Sequence, residues 1–238
     1  MSAMSRVGDI DRYLRAYFAS QQMPEGEPSQ PQSHPFVTIS RQAGIGGHAL
    51  ADEIVEVFSS IDDPIFSGWR VYDRTLCEMV AEDPRYRKSL DSLLDEEYRS
   101  KANDFFHQMV RSTVDQTLVM NRVFLAVRTV AGMGRSVIVG RAGSHVTQDM
   151  PEGISIRVVA SEDVRIQRAM DMHGLTEREA RAGGRKRDAD RARLIRAHFG
   201  ADIDDATGYD AVFNAGMVSF GEIARSVAVM VSARTATI

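Results

Sequence analysis

Short apolar runs alternate with longer stretches of helical periodicity along most of this chain. The apolar runs are rich in β-branched residues and predict five strands, at Phe36–Ser40, Arg70–Tyr72, Ser136–Gly140, Ile154–Ala160 and Tyr209–Phe213. Helical patterns lie between them, at Gly47–Ser59, Arg74–Ala81, Asn103–Ala131, Ser161–Met172, Thr176–Phe199 and Ser219–Ser232. Because strands that alternate with helices usually form a parallel sheet, we expect an α/β fold. It would be a three-layer parallel sheet of about five strands with helices on both faces.

The first 34 residues have a different pattern. Apolar residues recur at helical spacing between about residues 9 and 22 and predict a helix, whereas residues 24–35 are too rich in proline for a helix or an inner strand. We therefore divide the chain into an N-terminal helix with a Pro-rich linker, 1–34, and a main domain, 35–238. The helix could dock on the main domain or on a second subunit, so a homodimer is one possible assembly.

Composition narrows the class of protein. The 238 residues are 43% hydrophobic and 26% charged, as in an ordinary soluble domain. The net charge of −4 argues against a general affinity for nucleic acid or for an anionic membrane, and no segment approaches the roughly 20 apolar residues of a membrane span. The single cysteine, Cys77, excludes an internal disulfide and fits a cytoplasmic location. Histidine spacing predicts no metal site, so any metal ligands stay unknown.

A glycine-rich loop follows the first predicted strand and opens the next helix. Its sequence is Gly44-Ile45-Gly46-Gly47-His48-Ala49. Backbone N–H groups and the positive end of the helix dipole converge at such a loop, which predicts a cradle for phosphates. The alternative is a plain tight turn between strand and helix with no ligand.

Two side chains that usually accompany a phosphate loop are missing here. Aligned on the first two glycines of the loop, Gly47 replaces the expected lysine and Ala49 replaces the Ser or Thr that binds Mg²⁺. His48 at the helix start and Arg41 in front of the loop are the candidate replacement cations. Arginine stays charged at all ordinary pH values, whereas a neutral imidazole is the alternative for His48.

Charged residues also follow two other predicted strands. Asp73 and Arg74 come after the second strand, and Arg141 comes after the third. Because ligands bind outside the carboxyl ends of parallel strands, these side chains are expected beside the glycine-rich loop as acceptor or metal ligands. The alternatives are Asp73 as an ordinary N-cap and Arg141 in a salt bridge with Asp73.

The predicted helix at Thr176–Phe199 contains a dense basic run. Arg187 and Arg191 are four residues apart and share one helical face, with Arg193 close by. Several guanidinium groups on one helix can neutralise a transferring phosphoryl group. The alternative is a solvated helix with internal ion pairs. Nucleic-acid binding is disfavoured because aromatic residues are not interleaved with the basic ones.

Taken together, these segments resemble the cytidylate kinase-like family of P-loop kinases. The resemblance covers about Pro35 to Val231 in the correct order. The segments that carry it are Ile39–Gly47, Tyr72–Arg74, Val139–Arg141, Arg165–Arg168 and Arg187–Arg193, with the last strand and helix near Phe213–Asn214 and Ser219–Ile223. It implies a P-loop kinase-like domain over 35–238 with an arginine-rich helical lid at about 176–199.

The resemblance also implies roles for individual residues. Gly44 to Ala49 would hold the phosphates of ATP, and Arg165 would stack on its base. Arg187, Arg191 and Arg193 would be lid arginines, and Arg141 would bind the acceptor phosphate. The implied activity is Mg²⁺-dependent phosphoryl transfer from ATP to a nucleoside monophosphate, cytidylate-like, or to a similar small acceptor. The missing lysine leaves open a nucleotide-binding regulatory module with little or no turnover.

Overall fold

The computed structural model describes residues 34–73 and 114–236, and elements are numbered along those residues. Their strands form one parallel sheet in the order β2-β3-β1-β4-β5. The bounds are β1 Phe36–Arg41, β2 Arg70–Tyr72, β3 Ser136–Val139, β4 Gly153–Val159 and β5 Ala211–Asn214. The five predicted strands are therefore confirmed, each to within two residues at its ends. The strand order could not be read from the sequence.

Six α-helices occur in the described residues. They are α1 Gly47–Ser59, α2 Val114–Gly132, α3 Gly143–Val146, α4 Glu162–His173, α5 Glu177–Phe199 and α6 Phe220–Thr235. The short helix α3 was not predicted. Thr176 and Ser219 form full capping boxes at α5 and α6, as their sequences suggest. Ser161 is the N-cap residue of α4, but its side chain makes no capping hydrogen bond.

Apolar side chains from both faces of the sheet bury the core. Ile39 and Ile156 point to one face and pack with Leu50 of α1 and Val227 of α6. On the opposite face Ile138 packs with α2, whose Phe124 and Val127 are buried as the helical spacing predicts. The sheet is thus covered by helices on both faces, and the three-layer α/β prediction is confirmed.

Strand register places the candidate site. In the β1–β3 pair Ile39 lies beside Val139, so the residues after both strands emerge next to each other at one edge of the sheet. β4 lies on the other side of β1 and leads into α4. The strands that follow β1 in the chain thus lie on both sides of it. α/β proteins bind ligands in the crevice at a position where the strand order reverses in this way.

Several predictions fall outside the described residues. They are the N-terminal helix and linker, Arg74, the helix predicted at Arg74–Ala81 and the first part of the helix predicted from Asn103. Within the described ranges no helix has the length and apolar character that crossing a membrane requires.

Candidate functional site

The loop between β1 and α1 has the backbone features of an anion site. Gly44 and Gly46 have φ angles of 81° and 86°, which glycine adopts without strain. Gly46 is the N-cap of α1, and no side chain caps this helix. First-turn amides without a side-chain acceptor are the groups that attract anions to helix N-termini.

The same glycines also have a packing role. A Cβ atom on Gly44 would collide with the main-chain oxygen of Arg165 in α4, so the loop lies directly against that helix. A Cβ atom on Gly46 would lie 3.6 Å from the sulfur of Met172 and 3.7 Å from the ring of Phe220. Close packing therefore explains part of the glycine content whether or not a ligand binds.

Arg41 occupies the space beside Gly47, where the expected lysine is missing. A Cβ atom on Gly47 would lie 3.0 Å from Arg41 Nε, and one on Gly140 would collide with Arg41 Nη1. The two glycines leave room for this side chain, which therefore bridges the loops after β1 and β3. Within residues 34–73 and 114–236, its guanidinium forms no hydrogen bond and no ion pair.

A cavity of about 210 Å³ opens at this point between the ends of β1 and β3 and the inner side of α5. Arg41, Arg141 and Arg191 border it. Arg141 lies in a turn of three successive left-handed residues, with φ angles of 78°, 55° and 57° at Gly140, Arg141 and Ala142. Such conformations are uncommon outside glycine and cluster at functional sites. The other walls are mostly apolar and include Ile39, Met120, Val139, Leu194, Ile195 and Ile203.

Burial and the other two arginines of the cavity lower the pKa of Arg41. Burial, then Arg191 and Arg141, lower the pKa of Arg41 to about 10, against the opposing effect of Asp188. Burial also lowers the pKa of Arg191, which Asp188 partly offsets. Both groups stay protonated near neutral pH. The cavity therefore carries excess positive charge that a bound anion would relieve.

Asp188 joins the glycine-rich loop to α5. Its carboxylate accepts hydrogen bonds from Ala43 N at 2.7 Å, from Arg165 Nη1 at 2.9 Å and from Arg191 Nη1 at 3.2 Å. Arg165 also donates to the carbonyl oxygens of Ala43 and Ala160. The guanidinium proposed to stack on a base is thus mostly buried and held by protein groups.

Ion pairs also attach the predicted lid to the domain. Glu162 of α4 accepts hydrogen bonds from Arg181 and Arg185 of α5 at 2.7–3.1 Å. The pKa of Glu162 is lowered, first by its hydrogen bond from Arg185. Part of the basic run is therefore used in ion pairs, as the alternative interpretation of that segment anticipates.

The remaining predicted residues lie away from the cavity that Arg41, Arg141 and Arg191 border, which we call the arginine cavity. His48 and Ala49 are exposed on α1, and His48 Nε2 lies 3.6 Å from Asp73 Oδ2. Arg187 is exposed beside the crevice between the loop and α5. Arg193 is 76% exposed and pairs with Asp190 at 3.3 Å. The structure thus brings Arg41, Arg141 and Arg191 together, while the other predicted side chains have separate surroundings.

Sequence reasoning missed three polar residues near the cavity. Asp188 lies among the basic residues of α5, and His145 has no metal-ligand spacing, so neither residue attracts attention in the sequence. Arg157 is only 4% exposed and donates to Ser40 Oγ at 2.8 Å and to Asp204. An arginine inside an apolar strand was the available signal for this residue. The other two depend on tertiary packing.

The order of the strands, the glycine-rich loop between β1 and α1 and the arginine cavity together define a P-loop kinase-like α/β protein. A family model described as "Cytidylate kinase-like family" matches residues 36–216. The chain therefore belongs to the cytidylate kinase-like family. The comparison with curated proteins found no match.

Three solved structures are similar to this chain at low sequence identity, and the first of them shares its fold. An uncharacterized protein from Eubacterium ventriosum is 20% identical with a TM-score of 0.66, over 84% of this chain and 99% of that one. Shikimate kinase from Bacteroides thetaiotaomicron is 12% identical with a TM-score of 0.43, over 83% and 98%. TT1252 from Thermus thermophilus is 14% identical with a TM-score of 0.37, over 84% and 97%.

The described residues fit the phosphates of a nucleotide better than they fit a metal ion. The uncapped start of α1 and the buried guanidinium of Arg41 both suit a polyanion. Among the described residues no group of three or more His, Cys, Asp or Glu side chains is placed to hold a metal. The hydroxyl of Ser40, next to Arg41 in the sequence, accepts a hydrogen bond from Arg157.

Proposed function

We propose that this protein transfers a phosphoryl group from ATP to a small anionic acceptor. The nucleoside monophosphate that the family resemblance implies is one candidate acceptor. The observation that carries the proposal is the position of Arg41, which lies over Gly47 on one side and beside the cavity on the other. A donor phosphate on the loop and an acceptor in the cavity would meet at this guanidinium.

The chemistry needs mainly positioning and positive charge. Phosphoryl transfer spreads negative charge over the equatorial oxygens of the moving group, and prearranged cations stabilise that charge. Arg41 would replace the missing lysine, while Arg141 and Arg191 would bind the anionic group of the acceptor. α5 covers the cavity and would help to exclude water. ATP supplies the phosphoryl group, and Mg²⁺ would be expected to arrive with it.

The test is a pair of arginine variants on α5. Arg191→Ala removes a guanidinium that borders the cavity, whereas Arg196→Ala removes an exposed one on the same helix. ATP binding is measured by calorimetry, and ADP release is measured with CMP and a panel of other small anions. We expect turnover that Arg191→Ala reduces at least tenfold, since contributions from such groups are typically several kcal/mol. Absence of ATP binding would refute the proposal.

A second candidate is a module that binds a nucleotide without turnover. It is favoured by the missing lysine and by Asp188, whose carboxylate already accepts from Ala43 N in the loop. ATP binding without ADP release for any acceptor in the panel would support this candidate over the first.

A further inference from the structure

His145 lines the arginine cavity from the short helix α3. Its side chain is half-buried, and within the part of the chain that the structure describes neither ring nitrogen has a hydrogen-bond partner. The imidazole is therefore a polar group that borders the cavity without a structural bond of its own.

Aromatic neighbours hold this ring in place. The His145 ring centroid lies 5.4 Å from that of Phe199, at 46°, and 6.2 Å from that of Tyr209, at 82°. Phe199 ends the lid helix and Tyr209 precedes β5, so the ring is packed between two elements. A fixed ring with an available nitrogen meets the geometric requirement for a proton acceptor.

The surroundings favour the neutral imidazole. Burial lowers the pKa of His145, and the positive charge of Arg157 on β4 lowers it further. Among the described residues, the other titratable or charged groups that line the cavity or contact the ring are Tyr209, Arg41, Arg141 and Arg191. The carboxylates of Asp204 and Asp188 are paired with Arg157 and Arg191. A neutral ring accepts a proton at pH 7, whereas an imidazolium does not.

The need for a base depends on the acceptor. A phosphate oxygen is already anionic and attacks without losing a proton, whereas a hydroxyl group must transfer its proton as the new bond forms. The cavity that the described residues enclose has a volume of about 210 Å³, which leaves room for an acceptor of few atoms.

Resting on the proposed phosphoryl transfer, we propose that the acceptor is a small hydroxylated organic anion and that His145 accepts the proton of its hydroxyl group. The acid group of the acceptor binds Arg141 and Arg191, and its hydroxyl faces the imidazole. The hydroxyl oxygen forms a bond to the γ-phosphorus of ATP as the bond from that phosphorus to ADP breaks. The hydroxyl proton passes to a ring nitrogen of His145 and then to solvent, leaving ADP and a phosphate ester.

The experiment measures ADP release by the full chain with Mg-ATP and two sets of acceptors. One set contains glycerate and malate, and the other contains CMP, UMP and AMP. His145→Gln removes the titrating group, and His198→Gln is the matched control. His198 is also half-buried against an aromatic ring, Phe124 at 5.4 Å, but does not line the cavity.

We expect turnover with a hydroxy acid and a kcat about 100-fold lower in His145→Gln, with little change in acceptor KM. The kcat of the wild type should fall as pH drops below the ordinary histidine pKa, and the variant should lack this limb. His198→Gln should match the wild type. Melting temperature and ATP binding, measured for each variant, separate a chemical effect from loss of folding.

Two results would overturn the inference alone: turnover only with nucleoside monophosphates, or a kcat that His145→Gln leaves unchanged. ATP binding with no ADP release for either set would overturn both the phosphoryl-transfer proposal and this inference. If His145→Gln does not fold, His145→Asn is measured in its place, and the same results are expected for it.

Discussion

Arg41→Met should make the protein more stable while abolishing its binding of anions. The pKa of Arg41 is lowered from its ordinary value to about 10, mainly because of burial and then because of Arg191 and Arg141. Since one pKa unit corresponds to about 1.4 kcal/mol, the charged side chain costs the folded state on the order of 3 kcal/mol. Methionine keeps a long, flexible chain in the same space without the charge.

The full 3 kcal/mol is an upper bound because packing also changes. We expect a net gain of about 1 to 2 kcal/mol, which corresponds to a rise in Tm of about 2 to 8 °C for a chain of this size. Above about pH 10, and up to the ordinary arginine pKa, the unfolded chain retains a proton that folded Arg41 has lost, so the contribution of Arg41 to stability rises with pH only in that range. At pH 7 to 8 Arg41 is charged in both the folded and the unfolded chain. Comparing the wild type with Arg41→Met at that pH therefore measures the whole cost of burying the charge.

The assay is thermal unfolding with and without ATP or pyrophosphate. A ligand at a hundred times its Kd stabilises a protein by about 2.7 kcal/mol, so the wild type should melt higher with ligand. Without ligand, the Arg41→Met variant should melt at a higher temperature than the wild type, and adding ligand should not raise its melting temperature further. Arg196→Met, which changes an exposed residue of α5, should leave both quantities at wild-type values. An Arg41→Met variant that is less stable, or that keeps the ligand shift, would refute the reasoning.

Three further predictions concern the loop, the lid and the start of α6. Gly44→Ala should lower the free energy of unfolding in urea by about 1 to 3 kcal/mol, because Gly44 has a φ angle of 81° and the added Cβ atom would collide with the main-chain oxygen of Arg165. Gly174 is also left-handed but has open space around it, so Gly174→Ala should lower the free energy of unfolding by about 1 kcal/mol. Equal losses would contradict the packing argument. Asp188→Asn should speed amide hydrogen exchange in α5, and unchanged exchange would show that the carboxylate does not anchor the lid. Ser219→Ala should cost about 1 kcal/mol by removing a capping box, which a thermal melt would detect.

Local patterns predicted the secondary structure well because each element carries its own signals. Apolar β-branched runs located the strands, and Thr176 and Ser219, residue types that favour the N-cap, mark the starts of α5 and α6. Ser161 has no glutamate at the third helical position, and its side chain makes no capping bond. Helix α3 is a single turn, too short for periodicity to reveal it.

The candidate site was predicted less completely, and its residues show why. Arg41 and Arg141 could be expected at the sheet edge because each follows a strand. The contact of Arg41 with Gly140 could not be expected, since the two residues are about a hundred positions apart in the chain. Arg193 lies close to Arg191 in sequence, yet it points to Asp190 and solvent.

The sequence by itself determined an α/β fold, a glycine-rich loop before a helix, and arginines at the ends of strands and on a long helix. Those features depend on nearby residues and on their periodicity. Only the tertiary structure decided which arginines share a cavity, that Asp188 ties the lid to the loop, and that His145 lies at the cavity wall. These outcomes depend on strand order and helix packing, which bring distant residues together and remove water from the charges between them.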